Sequence, residues 1–297
     1  MKKTENDTLQ QIKKITIIGM GVNIFLTIIK IAAGYFGKSQ AVLADGVHSL
    51  SDLSTDIAII IGANYWTAPA DASHPHGHRR IETAVSIFIG LILVLVAAGI
   101  SYNSVNSLIA KEGASPDIIA FYAALISIFL KEAIYQITLH IGKKIKSSAL
   151  IANAWHHRTD ALSSLPAAAA VLAAIIKPEW WFIDAFGALL ISIFIMQASI
   201  KIIWPAFNEL TDKGAPKSVY TEIENLCQSV EGVNSCHKCR TRKLGAGWQI
   251  DIHIQVKRNL TVTEGHKISG NVKHLLLEKG PDIIDAIIHI EPEEDRE

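Results

Sequence analysis

Two histidine–aspartate pairs, His48 with Asp52 and His156 with Asp160, share an i, i+4 spacing in this 297-residue chain. On a helix that spacing places both side chains of a pair on one face. Each pair sits inside a long apolar run that reads as a membrane span. Ionisable groups at that depth are costly and face a cavity or a partner. Two imidazoles and two carboxylates are enough donors for one four-coordinate metal site. The chemistry expected is therefore the binding of a divalent cation inside a membrane, which points to metal transport. The competing reading is a set of interhelical hydrogen bonds that stabilise a bundle. Two matched pairs in different spans favour the metal. His157 adjoins His156 but is turned about 100° away on a helix, so it is assigned to packing or to outer support of the site. Asp45 and Asp56 prolong the His48/Asp52 face by about one turn each way. Both are candidates for an ion path, with capping near the span end the alternative for Asp45.

Two further groups carry metal-binding residue types. Asp71, His74, His76 and His78 cluster in the loop between the second and third spans, and short histidine-rich tracts favour metals. A solvated loop is the alternative. In the C-terminal part, His237, His253, His266, His289 and Glu291 are dispersed in sequence. Alternation places His253 on the polar side of one strand and puts His289 and Glu291 on the same side of another. Cys236 and Cys239 have a CxxC spacing, but a regular strand turns them to opposite faces, and no second CxxC exists to complete a zinc ribbon.

The elements that must position these groups follow from hydropathy. Composition is 49% hydrophobic, and mean hydropathy is +0.28. These values suit a chain with both membrane and soluble parts. Formal net charge is zero, so no basic field argues for nucleic acid. Six runs reach the roughly 20 residues a bilayer requires: 15–36, 41–66, 81–108, 116–140, 148–176 and 181–206. Residues 1–14 read as a cytoplasmic leader, 15–206 as the six-span bundle and 207–297 as a soluble α+β domain of order α-β-β-α-β. Its elements are expected at 217–230, 234–243, 248–256, 262–279 and 283–290. Lys2, Lys3, Lys13, Lys14, Arg79, Arg80, Lys143, Lys144 and Lys146 fall on one side of the spans, against Lys38, Lys111 and Lys177 on the other. The positive-inside rule then places both termini in the cytoplasm. Lys131 and Glu132, mid-span in the fourth run, could form a buried ion pair or handle protons.

The segments LADGVHSLSD (43–52), HPHGHRRIE (74–82), NAWHHRTD (153–160), HKCRTR (237–242) and IIHIEP (287–292) resemble the cation diffusion facilitator family, in the layout of its YiiP-type bacterial members. The resemblance runs from about residue 12 to residue 291. It implies a six-span homodimer in a bacterial inner membrane, with a cytoplasmic metallochaperone-like domain, that exchanges a divalent metal for protons by alternating access. It implies a transport site at His48, Asp52, His156 and Asp160, and a loop site at Asp71, His74 and His78. It further implies a cytoplasmic binuclear site at His237, His253 and His289, with Glu291 where an aspartate is usual and His266 nearby. Arg80 and Asp212 match a charge pair that, by resemblance, links membrane and soluble domains across the dimer. Zinc is the metal expected from the donor set, cadmium follows it, and manganese or iron(II) are the alternatives. An HExxH helix, which a zinc hydrolase would carry, is absent. No enzyme activity is expected. A membrane metal sensor and a passive channel are the other rival readings.

Overall fold

The structure is a computed structural model that describes residues 2–111, 113, 115–145, 147–245 and 247–293. The side chains of residues 2–13, 55–61, 63, 64, 148 and 149 are not among those described. Asp56 and the leader lysines Lys2, Lys3 and Lys13 fall in that set, and Lys146 lies outside the described residues altogether.

Long apolar runs dictate long helices, because only a helix satisfies its own backbone polar groups without water. The helices of this part are α1 (Lys2–Phe36), α2 (Gln40–Trp66), α3 (Arg80–Ala110), α4 (Ile118–Lys144), α5 (Ser148–Ser163), α6 (Leu165–Ile176) and α7 (Trp181–Leu210). Five stretches among the described residues are long and apolar enough to cross a membrane: Lys14–Phe36, Arg80–Ala110, Ile118–Lys144, Leu150–Ile176 and Pro178–Leu210. The second expected span corresponds to α2, which runs without a break for 27 residues. The fifth expected span is interrupted at Ser164, which separates α5 from α6. Pro166, in the first turn of α6, has no N–H to donate back to α5, so the break falls there.

The chain divides into two compact units, one from the segments up to Ile61 and Phe88–Lys201, the other from Gly62–Ile87 and the segment from Ile202 onward. In the first unit, small residues permit close helix approach. A Cβ on Gly34 would sit 2.5 Å from the backbone nitrogen of Leu43, and one on Gly46 would sit 2.9 Å from that of Ile31, so α1 and α2 pack backbone to backbone. Asp184 of α7 fixes the start of α2 from another helix. Its carboxylate accepts from Ser39 Oγ (2.7 Å), the Gln40 N–H (2.7 Å) and the Ala41 N–H (3.4 Å).

The second unit holds the α+β elements α8 (Lys217–Gln228), β1 (Ser235–Leu244), β2 (Gly247–Val256), α9 (Val262–Lys279) and β3 (Ile283–Pro292). The order is the expected α-β-β-α-β. The sheet order is β1-β2-β3, with β1 antiparallel and β3 parallel to β2. A parallel neighbour needs a crossover, which α9 provides. Ile250, Ile252 and Ile254 of β2 are fully buried with Ile223 and Cys227 of α8 and Val272 and Leu276 of α9. Both helices therefore cover one sheet face, and the residues between those isoleucines occupy the other. Thr261 caps α9 in a reciprocal box with Glu264. The two hydrogen bonds from Thr261 hold the Glu264 carboxyl below the ordinary carboxylate range.

Cys236 and Cys239 both pack against the apolar core, not on opposite faces. The β1–β2 register shifts between His237 and Arg240, and Lys238 adopts φ 49. A bulge inserts one residue and changes the parity of the strand, so positions three apart share a side.

Candidate metal centre

In the first unit, α2 and α5 each present one face of i, i+4 ligands. Ligand atoms of Asp52, His156 and Asp160 all lie within 4.8 Å of one another. His156 Nδ1 is 3.7 Å from Asp160 Oδ1. His48 is outside that tight group, but its Nδ1 is buried with no hydrogen-bond partner. An unsatisfied buried imidazole nitrogen beside two carboxylates is a free donor for a cation. His157 is turned away and buried. Its Nε2 is 3.4 Å from Asn153 Nδ2 and close against Gly19 of α1.

Two buried lysines meet aspartates of α2 and α5. Lys131 Nζ donates to Asp160 Oδ2 at 2.7 Å. Lys30 Nζ lies 2.8 Å from Asp45 Oδ2 and donates to Ser164 Oγ (2.9 Å) and Ser49 Oγ (3.1 Å). Ser164 in turn donates to Asp45 Oδ1 (3.1 Å). Asp45, a candidate for the ion path, faces Lys30 through Oδ2 and accepts from Ser164 through Oδ1. Lys131 and Glu132 do not pair with each other, because consecutive helical residues point about 100° apart. Glu132 instead reaches Arg158 at 3.9 Å and accepts from Gln136. Sequence reasoning passed over Lys30 and Asp184 altogether. The signal available was a charge inside an apolar span, which by itself calls for a partner.

In the second unit, the loop cluster Asp71, His74 and His78 brings its ligand atoms within the same 4.8 Å limit. Asp71 accepts from the backbone N–H of His74 (2.6 Å) and of Ser73 (2.9 Å). Those bonds, the one from His74 foremost, hold its carboxyl below the ordinary carboxylate range. Gly77 at φ 80 turns the chain so that the rings of His74 and His78 come to 4.4 Å. His78 Nδ1 is buried without a partner. His76 lines a surface cavity with Arg79 and Arg80 and is not in the cluster.

The sheet explains the third group. His237 pairs with His253 across β1–β2, and His253 pairs with His289 across β2–β3, so three imidazoles form a row on the open face. Glu291 reaches back into that row. It lies 2.7 Å from His253 Nδ1, 2.9 Å from His237 Nε2 and 3.7 Å from His289 Nε2. The hydrogen bond to His253 holds its carboxyl below the ordinary range. His237, His253 and Glu291 form the tight ligand group, with His289 at its edge. These imidazole and carboxylate donors suit zinc or another borderline cation. The one Glu291 carboxylate spans His237 and His253. His266 is exposed on α9 and does not join them.

Arg80 pairs with Asp212 within the one chain at 2.5 Å, and both side chains are about half exposed. Nearby, Glu209 accepts from Thr83 Oγ1 (2.7 Å) and from the Gly245 N–H (2.9 Å).

Paired candidate-ligand faces within apolar helices, followed by an α+β unit with a histidine row, have the layout expected of a membrane metal carrier with an appended α+β domain. Residues 16–211 match the family described as the cation efflux transmembrane domain, and residues 215–293 match the cation efflux protein cytoplasmic domain. The chain belongs to the cation efflux, or cation diffusion facilitator, family. A transporter of Methanocaldococcus jannaschii is 33% identical over 285 residues, covering 95% of this chain and 99% of that protein. The manganese efflux system protein MneP of Bacillus subtilis is 30% identical, over 94% of this chain and 96% of its own. Metal tolerance protein C1 of Arabidopsis thaliana is 31% identical, and this chain spans 62% of its length. The protein is thus a multi-pass membrane protein of a family of metal transporters, not of enzymes.

Proposed function

We propose that the protein exports a divalent cation, zinc foremost, in exchange for protons by alternating access. The observation that carries this reading is the convergence of Asp52, His156 and Asp160 inside apolar helices, with the unsatisfied His48 Nδ1 beside them. Two imidazoles and two carboxylates match zinc's tetrahedral preference. Sequestration of Asp45 by Lys30 withholds the extra oxygen that manganese or iron(II) would favour. Metal binding requires neutral imidazole and ionised carboxylate, so loading releases protons and acidification on the far side favours unloading. The His237/His253/Glu291 cluster, with His289, serves as a cytoplasmic sensor whose occupancy biases the arrangement of a homodimer. The manganese reading is the second choice, and the similarity to a manganese efflux protein favours it.

The test is uptake by proteoliposomes of zinc, manganese, iron(II) and cadmium, each with and without a pH gradient. Zinc uptake that accelerates with the gradient is the expected result. Uptake indifferent to the gradient would rule out proton exchange, and faster manganese than zinc would reassign the cargo.

A further inference from the structure

Lys131 and Lys30 are the largest fully buried side chains among the described residues. A buried ion pair contributes little net stability against an apolar replacement of similar volume, so an ammonium retained beside a metal ligand needs another explanation. Asp160 divides its two oxygens. Oδ1 faces His156, and Oδ2 is held by Lys131 at 2.7 Å. With Lys131 in place, Asp160 already has a buried amine partner on Oδ2. A divalent cation added on the Oδ1 side would face that ammonium across one carboxylate in a low-dielectric interior, where like charges repel strongly. The two cations therefore compete for Asp160, one at each oxygen.

An alternative acceptor lies on the same helix. Ser127, one turn before Lys131 on α4, is fully buried, and its Oγ has no hydrogen-bond partner. Side chains on a helix lean toward its N-terminus, so Ser127 is within the sweep of Lys131.

We propose that Lys131 is a tethered counter-cation of the transport site. It occupies Asp160 when no metal is bound, yields that oxygen to the incoming metal, and recaptures it on release. It thereby sets metal affinity and speeds unloading. This inference rests on the transport-site reading given above. Lys131 is a positioning residue that acts through Asp160, not a metal ligand.

The test compares zinc transport by full-length wild type, Lys131→Met, Lys131→Arg and Asp160→Asn in proteoliposomes, with KM and maximal rate measured separately. Met removes the competitor, so KM should fall about tenfold, equivalent to about 1.4 kcal/mol, and the maximal rate should fall because release loses its push. Arg grips a carboxylate with two parallel bonds and competes harder, so KM should rise. General damage to the fold would move both variants the same way. KM values that are unchanged, or that shift in the same direction, would overturn the proposal. If Lys131→Met is not recovered as folded protein, Lys131→Arg decides alone: a raised KM supports the competitor, and an unchanged or lowered KM refutes it. Wild-type transport by Asp160→Asn would instead overturn the transport-site reading on which the proposal stands.

Discussion

Lys30 and Asp45 face each other at 2.8 Å across the α1–α2 contact, each side chain 1% exposed. Gly34 and Gly46 allow that contact by bringing the two backbones together. The pair neutralises a carboxylate one turn from the ligand face of α2 and ties it, through Ser164, to the break between α5 and α6.

Breaking this pair from one side should leave an uncompensated buried charge. Asp45→Asn is expected to cost about 3–5 kcal/mol of stability. The double change Lys30→Met with Asp45→Asn should lose less than the sum of Lys30→Met and Asp45→Asn made singly. Unfolding in detergent, measured as a double-mutant cycle, reads the coupling directly. A loss in the double variant equal to the sum of the two single losses would mean that the pair contributes no coupling.

Asp184 should matter to α2 although it belongs to α7. Asp184→Ala strips the partners from the Gln40 and Ala41 N–H groups, at an expected cost of about 1–3 kcal/mol. Loss of cap protection should appear as faster amide exchange confined to the first turn of α2. Unchanged exchange there would show that water replaces the carboxylate without loss.

Most of the fold was legible in the sequence. Apolar runs of bilayer length gave the helices, and the alternation of Ile250, Ile252 and Ile254 gave the buried face of β2. The histidine row followed less directly, since strand pairing was needed to set His237, His253 and His289 side by side. What could not be read depended on contacts with no periodic signature. The Lys131–Asp160 pair joins residues on two helices whose relative rotation no heptad or alternation specifies. The bulge at Lys238 changes the facing of Cys239 through one left-handed residue that is not a glycine. Lysine gives no turn signal of the kind that Asn-Gly would.

The cysteine placement has a chemical consequence. Burial pushes the Cys227 thiol up to about 12 and the Cys239 thiol up to about 11, and it raises that of Cys236. A raised folded-state value means that the native protein holds the proton longer than the unfolded chain does. The resulting stabilisation is complete below the ordinary thiol range and is lost as pH climbs through it toward the folded values. At pH 8.5, iodoacetamide should therefore leave Cys227 and Cys239 unmodified in native protein and label both in denaturant. Labelling of native Cys227 at the rate of a free thiol would contradict the packing described.

The exposed Arg80–Asp212 pair should contribute little. Asp212→Asn is expected to change stability by under about 1 kcal/mol, with the effect fading as salt rises. A salt-insensitive loss of several kcal/mol would show that the pair is buried in the working assembly.

On the proposed function, the Asp52, His156 and Asp160 group moves the metal and the His237, His253 and Glu291 group only regulates it. The most direct measurement is initial zinc uptake by proteoliposomes containing His156→Ala, Asp160→Asn, or the double variant His253→Ala with Glu291→Gln. The two single changes should abolish uptake. The double variant should keep its maximal rate while its dependence on zinc concentration at the cytoplasmic face shifts. Uptake that survives Asp160→Asn, or that vanishes only in the double variant, would contradict the account.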